Sequence, residues 1–483
     1  MHVQIKANTK LFSASPTGAG APPNSQVALF DAAVPGTLPV LNWGCVEAAV
    51  RTGFALGGKV NRVSHFDRKH YFYADLPLGF QITQQDHPLV TGGMLPVRVD
   101  GRKEPLSVPI QRIQLEQDTG KSLHDQHPDH SLIDLNRAGS ALMEVVTEPA
   151  LSSGEEAAAF VRTFQLLLRH IGTSSANMED GSLRVDVNVS MRSGDGRQST
   201  RCEIKNMNSI RSIVKAVEFE AARHQEVLSK NEDVARETRT FDVSSGTTHA
   251  LRSKESALDY RFMPEPDLPP LVLTEEVVAE LERTTPELPD VSIARLQSAH
   301  GLSAKQAATI VSIPGATRYL LAAVELAATR GVKGCDAVSL TKWLLGDLRK
   351  SLNNAQLDFS SLPASISEAR LLELLEAVES STLSARMAKP VLEAMVAGDT
   401  RPVDVVSEEV SGGAQLTDAA ALQTMCKEIL EAHPKQVAKF LAGKNNMMGM
   451  FVGQAMKQTS GRADPKAATS IFLELLKEYG SSR

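Results

Sequence analysis

Apolar and polar positions fall into three stretches of different period along the chain. From the start to about residue 275, alternating or β-branched segments are broken by turn residues, as in VALFDAAVPGTLPVL, PVRVDGRKEPLSVPIQRIQLEQD and SLRVDVNVSMRSGDGRQSTRCEIK. A period of two puts apolar side chains on one face of a strand and polar ones on the other, so this stretch predicts a mostly antiparallel sheet. The Ser-Gly-Asp-Gly run at 193–196, between RVDVNVSMR and STRCEIK, predicts a hairpin that pairs its flanking strands.

Two helices interrupt this text. The first has Ser153 as N-cap with Glu156 three residues on, runs through AAAFVRTFQLLLRHI and stops at Gly172. The second, SIRSIVKAVEFEAARHQEVLSK from about 209 to 230, carries Ile213, Val217 and Ala221 on one stripe, with charges elsewhere. Helices set among antiparallel strands predict an α+β class rather than a doubly wound sheet. The segment FMPEPDLPP at 262–270 has four prolines in nine residues and continues neither a helix nor a central strand. The sheet-rich domain is therefore expected to span 1–271.

Beyond it, Ala, Leu, Glu and Lys recur with helical period, as in PLVLTEEVVAELERT and TKWLLGDLRKSLNN, and predict an all-helical domain over 272–405. RPVDVVSEEVSGG at 401–413, acidic and then Gly-rich, reads as a linker. Further helical patterns form a small tail domain over 406–483.

Composition narrows the class. With 483 residues, 42% hydrophobic and 22% charged, the chain is neither disordered, collagen-like nor a coiled coil. Cys45, Cys202, Cys335 and Cys426 are far apart with no C-x-x-C pair, which gives no disulfide framework or thiolate zinc site and suits a reducing compartment. No apolar run approaches the roughly 18 residues of a membrane span. Met-His-Val-Gln-Ile is not a signal peptide, and its abrupt entry into a strand suggests a truncated or processed amino terminus. A net charge of -6 excludes indiscriminate polyanion coating, so nucleic-acid binding needs a local basic patch. Between Ala432 and Thr469, Lys435, Lys439, Lys444, Lys457, Arg462 and Lys466 face one acid, Asp464. The patch is either a solvated helix face or a surface for the phosphates of a folded RNA.

The candidates for chemistry are short polar clusters in strand-like text: Glu116-Gln117-Asp118 with Lys121, Glu144 with Glu148, Glu179-Asp180, Arg184 to Asn188, and Glu203 to Asn206. Alternation puts Arg184, Asp186 and Asn188 on one strand face and Glu203 with Lys205 on a face of its neighbour. Carboxylates and amides that ligate a hard cation, beside cations that neutralise phosphate oxygens, suit a nucleotide with magnesium; cross-strand ion pairs on a solvated sheet are the competing reading. No phosphate loop, dinucleotide fingerprint, kinase set or His-Glu-x-x-His helix is present. His124, His127 and His130 straddle Pro128 and read as a solvated loop. The run FDRKHYFYADLP at 66–77 gathers aromatics and cations that either stack a base or anchor a core strand.

In order along the chain, HVQIKANTKLFS, PPNSQV, PGTLPVLN, FDRKHYFYADLP, FQITQQD, LEQDTGKSLHD, LIDLNRAGSALMEVVTEP, NMEDGSLRVDVNVS, EIKNMNS, ETRTFD, DYRFMPEPDLPPL, KWLLGDL and HPKQVAKFLAGKNNMMGMFVGQAMKQTSGRADP resemble the B subunit of the glutamyl-tRNA(Gln) amidotransferases, the GatB family. The resemblance covers nearly the whole chain. It implies an α+β catalytic domain, a helical domain and a YqeY-like helical tail that grips tRNA, working with the glutaminase (A) and small (C) subunits of a heterotrimer. It implies ATP and Mg2+ as cofactors for phosphorylating the γ-carboxyl of Glu on misacylated tRNA(Gln), which ammonia then converts to Gln-tRNA(Gln). By the same resemblance Glu116, Glu144, Lys205 and Lys69 are catalytic, and Arg184, Asp186, Asn188, Glu203 and Lys205 contact the nucleotide. His2, Glu116 and Glu144 hold the metal. His70 and Tyr71, with Lys69, meet the acceptor end of the tRNA or the ammonia exit, and Lys435, Lys439, Lys444, Lys457 and Arg462 meet the tRNA body.

The chain departs from the family's bacterial pattern in three places. Met1 stands just before His2, where members usually read Gly-Leu-Glu-Val-His, and Glu116-Gln117 replaces an acidic pair, as in mitochondrial members. The positions of a four-cysteine zinc site in some relatives are Ser13, Ser15, Ala28 and Asp31, so no zinc is expected. Together these suggest a mitochondrial protein, with a bacterial or other cytoplasmic setting as the alternative. A non-catalytic tRNA-binding scaffold and an enzyme acting also on Asp-tRNA(Asn) are the competing functions.

Overall fold

The computed structural model describes residues 1–483 except 19, 193–195, 197, 254–258, 333, 360–361, 412–418, 442–446, 460–461 and 482–483. The chain divides into two compact units, Met1–Pro289 and Asp290–Arg483.

The first unit is built on one large sheet. From one edge its strands are Thr247–Ser253, Glu237–Asp242, Cys202–Met207, Leu183–Val189, His2–Gln4, Ala141–Thr147, Leu106–Gln117, Val90–Thr91 and Lys59–Val60, with Met94–Val97 also paired to the long Leu106–Gln117 strand. Neighbours are antiparallel, including the 183–189 and 202–207 strands of the expected hairpin, whose turn lies largely outside the described residues. One pair departs from the expected pattern: Cys202–Met207 and Glu237–Asp242 run parallel. The helix Ile210–Ser229 lies between them in sequence, and a crossover of that length is what a parallel pair requires.

Alternation sends Val3, Ile113, Leu115, Met143, Val145, Leu183, Val185 and Ile204 into the core, where they join Phe160, Phe164, Leu167 and Leu168. Those four come from the helix Gly154–Ile171. Ser153 Oγ accepts from Glu156 N, Glu156 Oε2 accepts from Ser152 N at 2.7 Å, and Gly172 closes the helix in the left-handed region at φ 76°. A side chain at Gly154 would put its Cβ 2.7 Å from Val214 O, so that glycine sets how closely this helix meets Ile210–Ser229.

The second helix buries a different line from the expected Ile213, Val217 and Ala221: Ser212, Ile213, Ala216, Glu220 and His224 are buried. Two of these are charged or titratable, and they reach the core because partners wait there. The proline-rich segment forms short edge ladders, Met263–Pro264 on Asp67–Arg68 and Leu271–Val272 on Val63–Ser64. The first unit also runs past 271, because Leu273 and Leu281, the latter in the helix Glu275–Thr284, belong to its core.

Ser13 and Ala28 meet around the carboxylate of Asp31. Asp31 Oδ2 accepts from Lys10 Nζ at 2.9 Å, Ser13 Oγ at 3.1 Å and Ala28 N at 2.9 Å. A fully buried ion pair here joins the chain's first turns.

The second unit is helical. One apolar core runs from Leu296 to Val406 and a separate one from Cys426 to Leu476. The expected linker at 401–413 is largely a helix, Val403–Ser411, because Val403 and Val406 lie one turn apart and enter the first of these cores. Among the described residues no single helix is long and apolar enough to cross a membrane.

Candidate active site

The polar face of the sheet carries the titratable residues. Register sets Arg184, His2, Glu144 and Gln114 side by side across four strands, and Glu116 opposite Leu142 one step along. This face opens on a cleft of about 870 Å³ lined by His2, Glu116, Asp118, Arg184, Asp186 and Lys205, and by parts of the 69–73 and 259–263 segments.

His2, Glu116 and Glu144 each offer one ligand atom, and the three atoms lie within 4.8 Å of one another. His2 Nε2 is 3.2 Å from Glu116 Oε1, Thr83 Oγ1 donates to Glu116 Oε2 at 3.2 Å, and Gln114 Nε2 donates to Glu144 Oε2 at 2.7 Å. Burial pushes the Glu116 carboxyl up, but the hydrogen bond and charge of His2, the charge of Lys69 and the Thr83 hydroxyl outweigh it and hold the pKa below the usual range. Gln114 Oε1 and Arg184 Nε, on the same face, are buried without a hydrogen-bond partner. Gln114 Oε1, an orphaned acceptor beside two carboxylates and an imidazole, fits a divalent cation or its waters, with most ligands hard oxygens, whereas the Arg184 Nε–H is a donor and suits an anion.

The cationic side of the cleft is equally organised. Arg184 donates to Asp118 Oδ2 at 2.6 Å. Lys205 Nζ lies 3.6 Å from Asp186 Oδ2 and 3.4 Å from Glu203 Oε1. Burial lowers the Lys205 pKa, yet Asp186 and Glu203 raise it further, so the ammonium stays charged. A register shift lets Asn206, at φ 59°, donate its N–H to Asp186 Oδ1 at 2.9 Å. Asn is one of the few side chains that tolerate this left-handed backbone.

The family described as the GatB/GatE catalytic domain matches residues 1–279, and the one described as the GatB domain matches residues 329–476. The B subunit of the aspartyl/glutamyl-tRNA(Asn/Gln) amidotransferase of Rickettsia typhi is 45% identical over 477 residues, which is 99% of this chain and 96% of that protein. The chain belongs to the GatB family. The same-named protein of Granulibacter bethesdensis is 46% identical over 477 residues, 99% of this chain and 96% of that protein. That of Rickettsia rickettsii is 44% identical over 482 residues, 100% of this chain and 96% of that protein.

Within this GatB fold, the residues singled out in the sequence divide into groups. His2, Glu116, Arg184, Asp186, Lys205, Lys69, His70 and Tyr71 all line the cleft. Glu144 stands beside His2 and Glu116, and Glu203 pairs with Lys205. Asn188 lies opposite Glu203 in register but is exposed and outside the cleft lining. In the second unit Lys435, Lys439 and Lys457 are exposed, Arg462 is half-buried, and Lys444 lies outside the described residues.

Sequence reasoning missed Gln114, Thr83 and Tyr260. Gln114 was within reach, since it lies two residues before Glu116 and period two puts it on the same face. Thr83 and Tyr260 come from distant segments and carry no local signal.

A second three-donor group, Cys202, Glu220 and His224, also falls within 4.8 Å, and all three are buried. Here the carboxylate is already matched. Arg223 and Arg239 lie 2.8 and 2.9 Å from Glu220, Thr248 donates its hydroxyl to it, and Arg223 Nη2 donates to Cys202 Sγ at 3.2 Å. Burial pushes Glu220 up, but His224, Arg223 and Thr248 outweigh it and bring it down to about 2.

Proposed function

We propose that this chain is the B subunit of a glutamine-dependent tRNA amidotransferase, an ATP-dependent carbon–nitrogen ligase. It acts on glutamyl-tRNA(Gln), with aspartyl-tRNA(Asn) as a second substrate class, in a complex with the glutaminase (A) and small (C) subunits. One observation carries the reading: a carboxylate–imidazole set and a row of cations share a single cleft, inside the stretch that matches the catalytic domain.

A carboxylate is a poor electrophile. Transfer of the ATP γ-phosphoryl to the side-chain carboxylate makes an acyl phosphate; ammonia attacks its carbonyl, phosphate leaves and the amide forms. Such chemistry asks mainly for positioning and charge compensation. Arg184 and Lys205, fixed by Asp118 and by Asp186 with Glu203, hold phosphate oxygens. Lys69, whose charge is felt at Glu116, faces the reacting carboxylate. His2, Glu116 and Glu144 are the residues that would hold Mg2+, which when bound supplies further neutralisation of phosphate charge. The exposed Lys435, Lys439 and Lys457 contact RNA phosphates.

The organellar setting rests on sequence features alone: Glu116-Gln117, the four positions without cysteine, and the HYFYADLP, LEQDTGK and RFMPEPDLPPL runs. The named relatives are bacterial, which favours bacterial translation instead.

The test uses the chain assembled with the A and C subunits, glutamine and ATP, and scores amide formation on Glu-tRNA(Gln) and Asp-tRNA(Asn) in parallel. Lys205→Ala is expected to abolish product while tRNA binding is retained; comparable turnover in that variant would sink the role of Lys205. Wild-type tRNA binding without any turnover would favour the non-catalytic scaffold.

A further inference from the structure

The mouth of the cleft carries an unusual share of the chain's aromatic surface. Three of its five tyrosines, Tyr71, Tyr73 and Tyr260, gather here with Phe72 and Phe262. Phe72 is 84% exposed and Tyr73 59%. A single exposed aromatic needs no explanation, but two adjacent ones held in a built arrangement do.

The arrangement is a chain of edge-on contacts: Tyr73 on Tyr71 at 5.6 Å, Tyr71 on Tyr260 at 6.2 Å, and Tyr260 on Phe262 at 5.9 Å between ring centres. Edge-on packing fixes each ring while leaving a face of the outer rings uncovered. Backbone bonds tie the two contributing segments together, His70 N donating to Tyr260 O at 2.8 Å, with His70 Nδ1 2.9 Å from Arg261 O. Phe72 lies against Gly79, where an added Cβ would sit 3.2 Å from the ring.

We propose that Tyr73, braced through Tyr71 by Tyr260, and the neighbouring Phe72 stack the terminal nucleobase of the aminoacylated RNA end and thereby position its amino-acid side chain in the cleft. The proposal rests on the functional reading above. The connectivity of the ligand favours an RNA end over the base of ATP. Lys69, whose ammonium sits 5.2 Å from the Tyr260 ring centre, and Lys205 line the cleft beside Glu116, Asp118 and Asp186, and at the mouth Arg261, 81% exposed, pairs with Asp259 at 3.7 Å, so acids and cations balance and charge does not choose the ligand. In an RNA end the phosphates lead away on the 5′ side while the aminoacyl ester projects from the 3′ side, so a base held at the mouth lets the ester enter the cleft as the strand leaves it; a nucleoside triphosphate has no such group on its 3′ side. Aromatic rings stack any base without hydrogen-bond readout, which suits a terminus shared by all substrates.

The experiment uses the assembled complex and uncharged tRNA carrying 2-aminopurine at its 3′ terminus. Binding is expected to quench the fluorescence. Phe72→Ala and Tyr73→Ala should lose most of the quenching, and Tyr73→Phe should keep it. With misacylated tRNA, each alanine variant should raise KM for the tRNA by roughly five- to a hundredfold, with KM for ATP within about twofold of wild type. Quenching unaffected by either alanine variant would overturn the proposal, as would a rise in KM for ATP alone, which would give the platform to the nucleotide. If wild-type complex fails to bind tRNA at all, the functional reading itself fails, and the platform with it.

Discussion

Two groups of three donors in the same unit meet the same spacing, and only one looks outward. His2, Glu116 and Glu144 stand on the cleft face of the sheet, with half-buried members. Cys202, Glu220 and His224 are sealed beneath a helix, where two guanidiniums saturate the carboxylate. Donor spacing alone therefore does not make a metal centre. What separates them is whether the surrounding charge is already balanced: the first group keeps its anions for a visitor, while the second uses Glu220 to tie the helix Ile210–Ser229 to the strands Glu237–Asp242 and Thr247–Ser253.

The largest expected effect lies in the sealed group. Glu220→Gln leaves the half-buried Arg223 without its counter-ion and Arg239 with Glu237 alone, and should destabilise the unit by about 3 kcal/mol, read as a lower urea midpoint. Its pH signature follows from the depressed pKa. A carboxylate moved from its ordinary 4.5 down to about 2 contributes stability that is complete above about 4.5 and lost as pH falls through about 2. The stability gap between wild type and Glu220→Gln should shrink across that window. A gap that widens on acidification would mean Glu220 is not the ionised centre of the group.

At the open group, Glu116→Gln should cut amide formation by on the order of a hundredfold or more while the far-ultraviolet circular dichroism is preserved. Retained activity would move the chemistry elsewhere in the cleft. A smaller change is expected one contact further out. Gln114→Ala removes the amide that orients Glu144 and should weaken Mn2+ binding, measured by calorimetry, by roughly tenfold. The smallest is Cys202→Ser, which should cost about 1 kcal/mol and leave Mn2+ affinity unchanged. If instead that variant lost a bound cation, the two groups would have to exchange roles.

Much of the open site was legible because strand alternation is local. Arg184 and Asp186 share a face by period two, and the cleft receives both. Asn188 follows the same period yet stands outside, since the cleft ends before the strand does. The sealed group was hidden for the opposite reason. Glu220 and His224 look like the polar side of an amphipathic helix until Arg239 and Thr248, from strands beyond the helix, are seen to meet Glu220. The supposed linker at 401–413 misled in a similar way, because Val403 and Val406 are too few to announce a helix before the core that receives them is known.

By itself the sequence determined the α+β class, the helix caps at Ser153 and Gly172, the polar strand faces and the family, all of which depend on neighbours a few residues apart or on motif order. Tertiary structure alone decided which charges are sealed and which are offered. That choice depends on partners brought together across long stretches of chain, Glu116 with His2 or Tyr71 with Tyr260, and burial makes an unmatched charge so costly that each must either find a counter-ion or face a cleft.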